Sequence, residues 1–333
     1  MYVSSSDRRL TELVDWLNND LALDIQQLTP ASSDASFRRY FRVAHRSGCH
    51  IAMDAPPERE NTEPFIRIAA LLKAAYIHVP DIYQQNSRQG FLLLEDLGST
   101  SFLDELRQDT AEMLYSQALN SLLKLQTSVD TRGCGLPAYD QALLLRELGI
   151  FYEWFLEKLL GIAIPDSIAA KLNQTLIASA LEQPQVCVHR DYHSRNLMVL
   201  EHDSPGVIDF QDAVIGPISY DLVSLLRDCY IDWPEHQVYA WAEAYHQRLC
   251  TAKLLDADFS QFRRWFDLMG MQRHLKAVGI FARLHLRDGK SGYLADIPRT
   301  LAYVERVCEQ YPELAEARQF LQQQVLPVYR ALI

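Results

Sequence analysis

His189-Arg190-Asp191-Tyr192-His193-Ser194-Arg195-Asn196, followed beyond a short turn by Val207-Ile208-Asp209-Phe210, is the stretch that decides how this chain is read. Val186-Cys187-Val188 reads as a short buried strand leading into it, and Leu197-Met198-Val199-Leu200 as the strand after it. Asp203-Ser204-Pro205-Gly206 is built of turn residues, so Gly206-Val207-Ile208 returns as a further strand with Asp209 at its end. Strand ends are thus expected to bring three oxygen-bearing side chains, Asp191, Asn196 and Asp209, to one place.

That set suits phosphoryl transfer, which needs positioning and charge neutralisation more than covalent help from the protein. Asp191 is the expected general base, or the group that orients an acceptor hydroxyl. Asn196 and Asp209 are the expected magnesium ligands, since hard divalent cations prefer oxygen. Taken singly, the three have ordinary uses as a turn residue, a cap and a strand-end carboxylate. The strand-loop-strand-turn-strand context favours the catalytic use. His189 and His193 have no Cys/His cluster around them in sequence, so packing and hydrogen bonding are expected of them rather than zinc binding.

Working outward, the 333 residues are 48% hydrophobic, enough for a substantial core. Lys and Arg number 32 against 43 Asp and Glu, a net charge of -11, which argues against a nucleic-acid partner. The six cysteines are scattered without a Cys-x-x-Cys pair, so neither a disulfide framework nor a zinc site is expected. No stretch approaches the roughly 18 apolar residues of a membrane span, and no signal core opens the chain, so a cytoplasmic protein is expected.

Leu10, Leu13, Val14, Leu17 and Leu21 predict an opening amphipathic helix. Strands are predicted over Ser36 to Val43, Cys49 to Met53 and Phe91 to Leu94, with a helix over Thr62 to Tyr76. Beyond Gly98 long helical periods fall near 109–129, 139–160, 235–251, 259–286 and 312–325. The expected organisation is α+β: a small mixed β/α lobe over 1–97, carrying a nucleotide hairpin and hinge, then a mostly helical lobe over 98–333 with the catalytic loop and acceptor site.

The catalytic stretch resembles the Brenner-type loop and metal-binding Asp of the aminoglycoside phosphotransferase superfamily, and the likeness extends over nearly the whole chain. It continues through Asp209-Phe210-Gln211-Asp212-Ala213-Val214-Ile215-Gly216-Pro217, Ser219-Tyr220-Asp221-Leu222 and Phe91-Leu92-Leu93-Leu94-Glu95-Asp96-Leu97-Gly98. The resemblance implies a bilobal, protein-kinase-like fold that uses ATP and Mg2+. It also implies that backbone groups of the Glu95 to Gly98 hinge, Glu95 and Leu97 among them, hold the adenine edge. Asp221 is expected to brace the catalytic loop.

Between the first strands, Ala31-Ser32-Ser33-Asp34-Ala35-Ser36-Phe37-Arg38-Arg39-Tyr40-Phe41-Arg42 contains no glycine. Backbone amides and hydroxyls, Ser33 and Ser36 among them, are the expected phosphate donors. Alternation along a strand puts Arg38, Tyr40 and Arg42 on one side and Arg39 on the other. The strand lysine usual in such folds is missing, because Ile51-Ala52-Met53-Asp54 has Met or Asp there. Arg38 and Arg39, with magnesium, are the expected replacements, which leaves Glu63 without its usual partner.

Met53-Asp54-Ala55-Pro56-Pro57, Leu225-Leu226-Arg227-Asp228-Cys229-Tyr230 and Met271-Gln272-Arg273-His274-Leu275-Lys276, together with the catalytic stretch, are similar to bacterial anomeric kinases for N-acetylmuramate and N-acetylglucosamine. The missing lysine is part of that pattern. The resemblance implies transfer to a sugar C1 hydroxyl in peptidoglycan recycling. Arg227, Arg273, His274 and Lys276 are the candidate sugar contacts, a cation among them suiting the carboxylate of N-acetylmuramate. An aminoglycoside kinase and a nucleotide-binding pseudokinase remain alternatives at this point.

Overall fold

The computed structural model describes residues 7–32 and 37–332, so Ser33 and Ser36 lie outside the described residues. The chain divides into two compact units, one formed up to Thr110 together with Arg195–Asp212, the other from Ala111–Ser194 with the rest of the chain. In chain order the elements of the first stretch are α1 (Arg8–Asp15), β1 (Ile25–Ser32), β2 (Arg39–His45), β3 (Gly48–Asp54), α2 (Glu63–Ala74), β4 (Ile82–Asn86), β5 (Phe91–Glu95) and α3 (Phe102–Glu105). The second unit begins with α4 (Ala111–Ser128), α5 (Gln141–Ile150) continued by a π-helical stretch Phe151–Leu159, α6 (Asp166–Leu181) and β6 (Gln185–Val188). The hairpin β7 (Leu197–Met198) and β8 (Gly206–Val207) belongs to the first unit. The chain then supplies the second unit with β9 (Val214–Pro217), α7 (Tyr220–Leu226), α8 (Glu235–Thr251), α9 (Phe259–Asp288), α10 (Ile297–Gln310), α11 (Ala315–Phe320) and α12 (Leu326–Leu332).

The first unit is an antiparallel five-stranded sheet in the order β1-β2-β3-β5-β4. Alternation of side chains across the pleat gives the sheet two different faces. Phe41, Val43, Ala52, Phe91 and Leu93 pack with Leu13, Trp16 and Leu17, which closes one face under α1 and the π-helical turn Trp16–Asp20 that continues it. Each such large side chain contributes about 1.5–3 kcal/mol by leaving water. Tyr40, Arg42, Ile51 and Leu94 fall on the other face and line a cavity. The β7–β8 hairpin joins this unit through the Val199 and Val207 N–H groups, which donate to Thr100 O (2.9 Å) and His78 O (2.7 Å). Phe210 also packs on Phe65 of α2, ring centres 4.8 Å apart. The first unit thus runs on to Thr110 rather than ending at Leu97, and it includes the hairpin.

The second unit is built on α9, capped by the Asp258 side chain at its start and by Gly289, at φ 69°, at its end. Leu268, Met271, Leu275, Val278, Phe281 and Ala282 of α9 enter a core shared with α5, α6 and α10. Gly279 lets α9 approach the π-helical stretch closely, since a Cβ there would stand 2.6 Å from the Ile150 carbonyl. β6 pairs antiparallel with β9.

Several elements were not anticipated. β4 is an edge strand whose polar Gln84-Gln85-Asn86 conceals the alternation, and β9 is short. α6 buries Leu172, Leu176, Ile177 and Ala180 on a broad face, which blurs its period. α10 repeats Ile297, Leu301, Val304 and Cys308 at helical spacing, a period legible in the sequence itself.

Candidate active site

The first unit contains a cavity of about 430 Å3, a size suited to a nucleotide. Ile51, Leu94, Leu97, Met198 and Ile208 make an apolar slot, while Glu95, Asp96, Arg195, Asn196 and Asp209 bring polar groups to the same walls. Just beyond β5 the Arg42 guanidinium donates to both Asp96 carboxylate oxygens, at 2.7 and 2.9 Å, and to the Gly98 carbonyl at 2.8 Å. Gly98 holds φ 83°, a backbone conformation natural to glycine. Burial would raise the Asp96 carboxyl, but the hydrogen bonds from Arg42 and Cys49 outweigh it and leave the pKa lowered. Glu95 gives its N–H to the Asp81 carbonyl at 2.8 Å. The Leu97 backbone makes no hydrogen bond with any described residue, so it can serve a planar base.

Asn196 and Asp209 meet within this unit: the Asn196 amide nitrogen lies 3.4 Å from Asp209 Oδ2, and Gln211 donates to Asp209 Oδ1 at 2.7 Å. Asp209 adopts φ 63°, outside the strand conformation, at the point where the chain leaves β8. The Gln211 amide oxygen is buried without a hydrogen-bond partner among the described residues. A carboxylate and an amide oxygen are the hard donors that Mg2+ takes from a protein while nucleotide phosphates and water complete its shell, so the pair fits that ion. Among the described residues no three His, Cys, Asp or Glu gather in a metal-binding group.

Met53 shares a face with Ile51, whereas Asp54 is fully buried on the opposite face and pairs with Arg9 and Arg39. Arg39 is also bound to Asp7, and Arg38 reaches Glu60 at 3.2 Å. Neither arginine lines the cavity; Arg42 and Arg195 do. The expectation that Arg38 and Arg39 face the nucleotide therefore changes, because both are drawn to carboxylates elsewhere.

In the second unit, the loop after β6 carries Asp191. Arg190 takes φ 77°, an uncommon conformation for a residue with a Cβ. Asp221 holds it there, accepting the backbone N–H of His189 at 2.6 Å and of Arg190 at 3.0 Å. Asp228 accepts the Ser194 N–H at 2.9 Å, fixing the far side of the loop. Burial alone would raise the Asp191 pKa, but the electrostatic influence of Lys276, then of His193, Arg273 and His189, brings it down to about 2. Asp191 is thus an ionised acceptor at every physiological pH.

The candidate sugar contacts separate into two groups. Arg273 and Lys276, spaced i, i+3 on α9, are both buried and both act electrostatically on Asp191. Arg227 instead forms a buried ion pair with Asp267 at 2.8 Å. His274 binds the Arg227 carbonyl at 2.9 Å through Nε2, stacks on Tyr303 and is fully buried, its pKa pulled down by burial and by Arg273. Helix packing thus accounts for Arg227 and His274, leaving Arg273 and Lys276. Sequence reasoning missed Glu147 of α5, which is 2% exposed and contacts both Arg190 and Lys276. A Glu among the apolar residues of Leu143-Leu144-Leu145-Arg146-Glu147-Leu148 was its only sequence signal.

Residues 27–259 match the family described as APH, phosphotransferase enzyme family. An N-acetylmuramate/N-acetylglucosamine kinase of Pseudomonas putida is 47% identical over 324 residues, covering 93% of this chain and 95% of its own. A kinase of the same name from Neisseria meningitidis is 42% identical over 317 residues, covering 92% and 93%. Among solved structures, choline kinase from Streptococcus pneumoniae superposes with a TM-score of 0.65 at 10% identity, covering 89% of this chain and 99% of its own, a likeness of fold alone.

Proposed function

The chain belongs to the APH phosphotransferase enzyme family, and from that footing we propose that it is an ATP-dependent kinase that phosphorylates the anomeric hydroxyl of N-acetylmuramate and N-acetylglucosamine. The observation that carries this reading is Asp191, a carboxylate kept ionised in a loop whose backbone is fixed on both sides. The choice of acceptor rests on the near full-length relatives.

With a pKa of about 2, Asp191 is a weak base. It accepts the hydrogen bond of the sugar C1 hydroxyl and aims the oxygen at the γ-phosphorus; as the bond to the bridging oxygen breaks and ADP leaves, Asp191 takes the proton late, once the new P–O bond has made it acidic. The apolar slot between Ile51, Leu97 and Met198 takes the purine, and the Glu95 to Leu97 backbone takes its hydrogen-bonding edge. Asn196 and Asp209 would hold magnesium, which neutralises charge on the nucleotide phosphates when bound. Arg273 and Lys276 suit the carboxylate of N-acetylmuramate, the feature that N-acetylglucosamine lacks.

No helix of the described residues is long and apolar enough to cross a membrane. A cytoplasmic place, where ATP is supplied, and a part in reusing cell-wall sugars suit this reading. Incubation with ATP, magnesium and each sugar, followed by mass spectrometry, tests it: addition of one phosphate to both sugars is expected, and no transfer to either would refute it.

A further inference from the structure

Arg190 and Arg195 flank the catalytic carboxylate in sequence but lie in different surroundings. Arg195 is exposed at the cavity wall, whereas Arg190 is turned into the helical unit and meets Glu147. The same Glu147 Oε1 lies 3.2 Å from Lys276 Nζ, and its other oxygen accepts from the Tyr139 hydroxyl. Lys276 in turn donates to the Tyr220 hydroxyl at 3.2 Å. Glu147, Tyr139 and Tyr220 are all at most 2% exposed, so water does not stand in for any of these contacts.

One carboxylate thus grips two cations with separate routes to Asp191. Arg190 immediately precedes it and holds the left-handed backbone conformation that turns the loop. Lys276 supplies positive charge to it from α9. We propose that Glu147 is a positioning residue for phosphoryl transfer, fixing through Arg190 the course of the loop at Asp191 and through Lys276 the charge beside it. This rests on the kinase function proposed above. Glu147 touches neither nucleotide nor sugar in this role.

The surroundings of Lys276 give the role a signature that simple structural support lacks. Burial pulls the Lys276 ammonium down, Glu147, Tyr220 and Asp191 raise it, Arg190 opposes them, and the balance is a cation held above its ordinary value. Loss of the Glu147 charge removes the largest of the raising influences, so Lys276 loses its proton at a lower pH.

The test compares wild type, Glu147→Gln and Glu147→Asp for sugar phosphorylation from pH 6 to 11, with nucleotide affinity and thermal unfolding measured alongside. Glu147→Gln is expected to lower kcat about 10- to 100-fold, as a misplaced catalytic group does. Nucleotide Kd should stay within about twofold, and the alkaline loss of activity should begin at a lower pH. Glu147→Asp keeps the charge but shortens the reach, so kcat falls while the alkaline limb stays near that of wild type. Should Glu147→Gln fail to fold, Glu147→Asp carries the test alone. Overturning results are kcat within twofold of wild type in the variants that fold, or a loss in Glu147→Gln matched by the unfolded fraction with the alkaline limb unmoved. A wild type that phosphorylates neither sugar would instead overturn the proposed function, an outcome seen before any variant is compared.

Discussion

Asp221 accepts the backbone N–H of Arg190 at 3.0 Å and thereby holds that residue in a left-handed conformation one step before Asp191. A buried carboxylate on the first turn of α7 thus sets the geometry of a loop that comes earlier in the chain. Replacing Asp221 by Ala leaves the His189 and Arg190 N–H groups without their acceptor, at about 1–3 kcal/mol for each buried group. Chemical denaturation should show that loss, and kcat should fall in the variant that remains folded.

The same residue makes a pH prediction. Burial raises the Asp221 carboxyl to about 7, although the two N–H groups that it accepts favour the ionised form. Its folded value exceeds the unfolded one near 3.8, so the folded chain binds the extra proton between those limits. The contribution of this group to stability is therefore full below about pH 4 and declines as pH rises towards 7. Asp221→Asn does not titrate, so the stability of wild type relative to that variant should fall with rising pH across this window. Urea midpoints at intervals between pH 4.5 and 8 check it; a constant difference would contradict it.

Asp191→Asn should lower kcat by roughly 10²- to 10⁴-fold, the usual contribution of a positioned proton acceptor. Nucleotide affinity should stay within about twofold, because the cavity in the first unit is lined by other residues. Steady-state kinetics with isothermal titration separates the two quantities.

Asp209→Asn removes one negative charge from the Asn196/Asp209 pair. The magnesium concentration for half-maximal activity should rise about tenfold or more, and chelation of the metal should stop turnover of wild type. Titrating magnesium at fixed nucleotide measures this.

Arg42→Met breaks the bidentate pair with Asp96 and the bond to the Gly98 carbonyl. Partial exposure of the pair limits the stability loss to about 1 kcal/mol. The larger effect should be on nucleotide KM, raised roughly three- to tenfold as the Glu95 to Gly98 segment loses its clamp, with kcat little changed. Equal nucleotide KM in both proteins would count against a base-binding role for this segment.

The loop after β6, which carries Asp191 and Asn196, and the β7–β8 hairpin, which Asp209 follows, were legible because strand ends and turn residues leave local signals. The loop brace was legible too, since Asp221 stands at a helix start. The partners of the arginines were not. Arg38 and Arg39 alternate as a strand requires, yet Glu60, Asp7 and Asp54 decide where they point, and those lie far off in sequence. α9 is surrounded by protein along most of its length, so its pattern could not tell Arg273 and Lys276, which act electrostatically on Asp191, from His274, which packs on Tyr303. Glu147 was not legible for a related reason: its significance comes from Arg190 and Lys276, contributed by a loop and a helix that only the fold brings to it.

The most direct test of the central claim is phosphorus and proton NMR of the product formed from N-acetylmuramate, ATP and magnesium. Coupling of the new phosphorus to the anomeric proton, lost when Asp191 is replaced by Asn, is the expected result. A product phosphorylated on any other hydroxyl, or transfer undiminished in the Asp191→Asn enzyme, would contradict it.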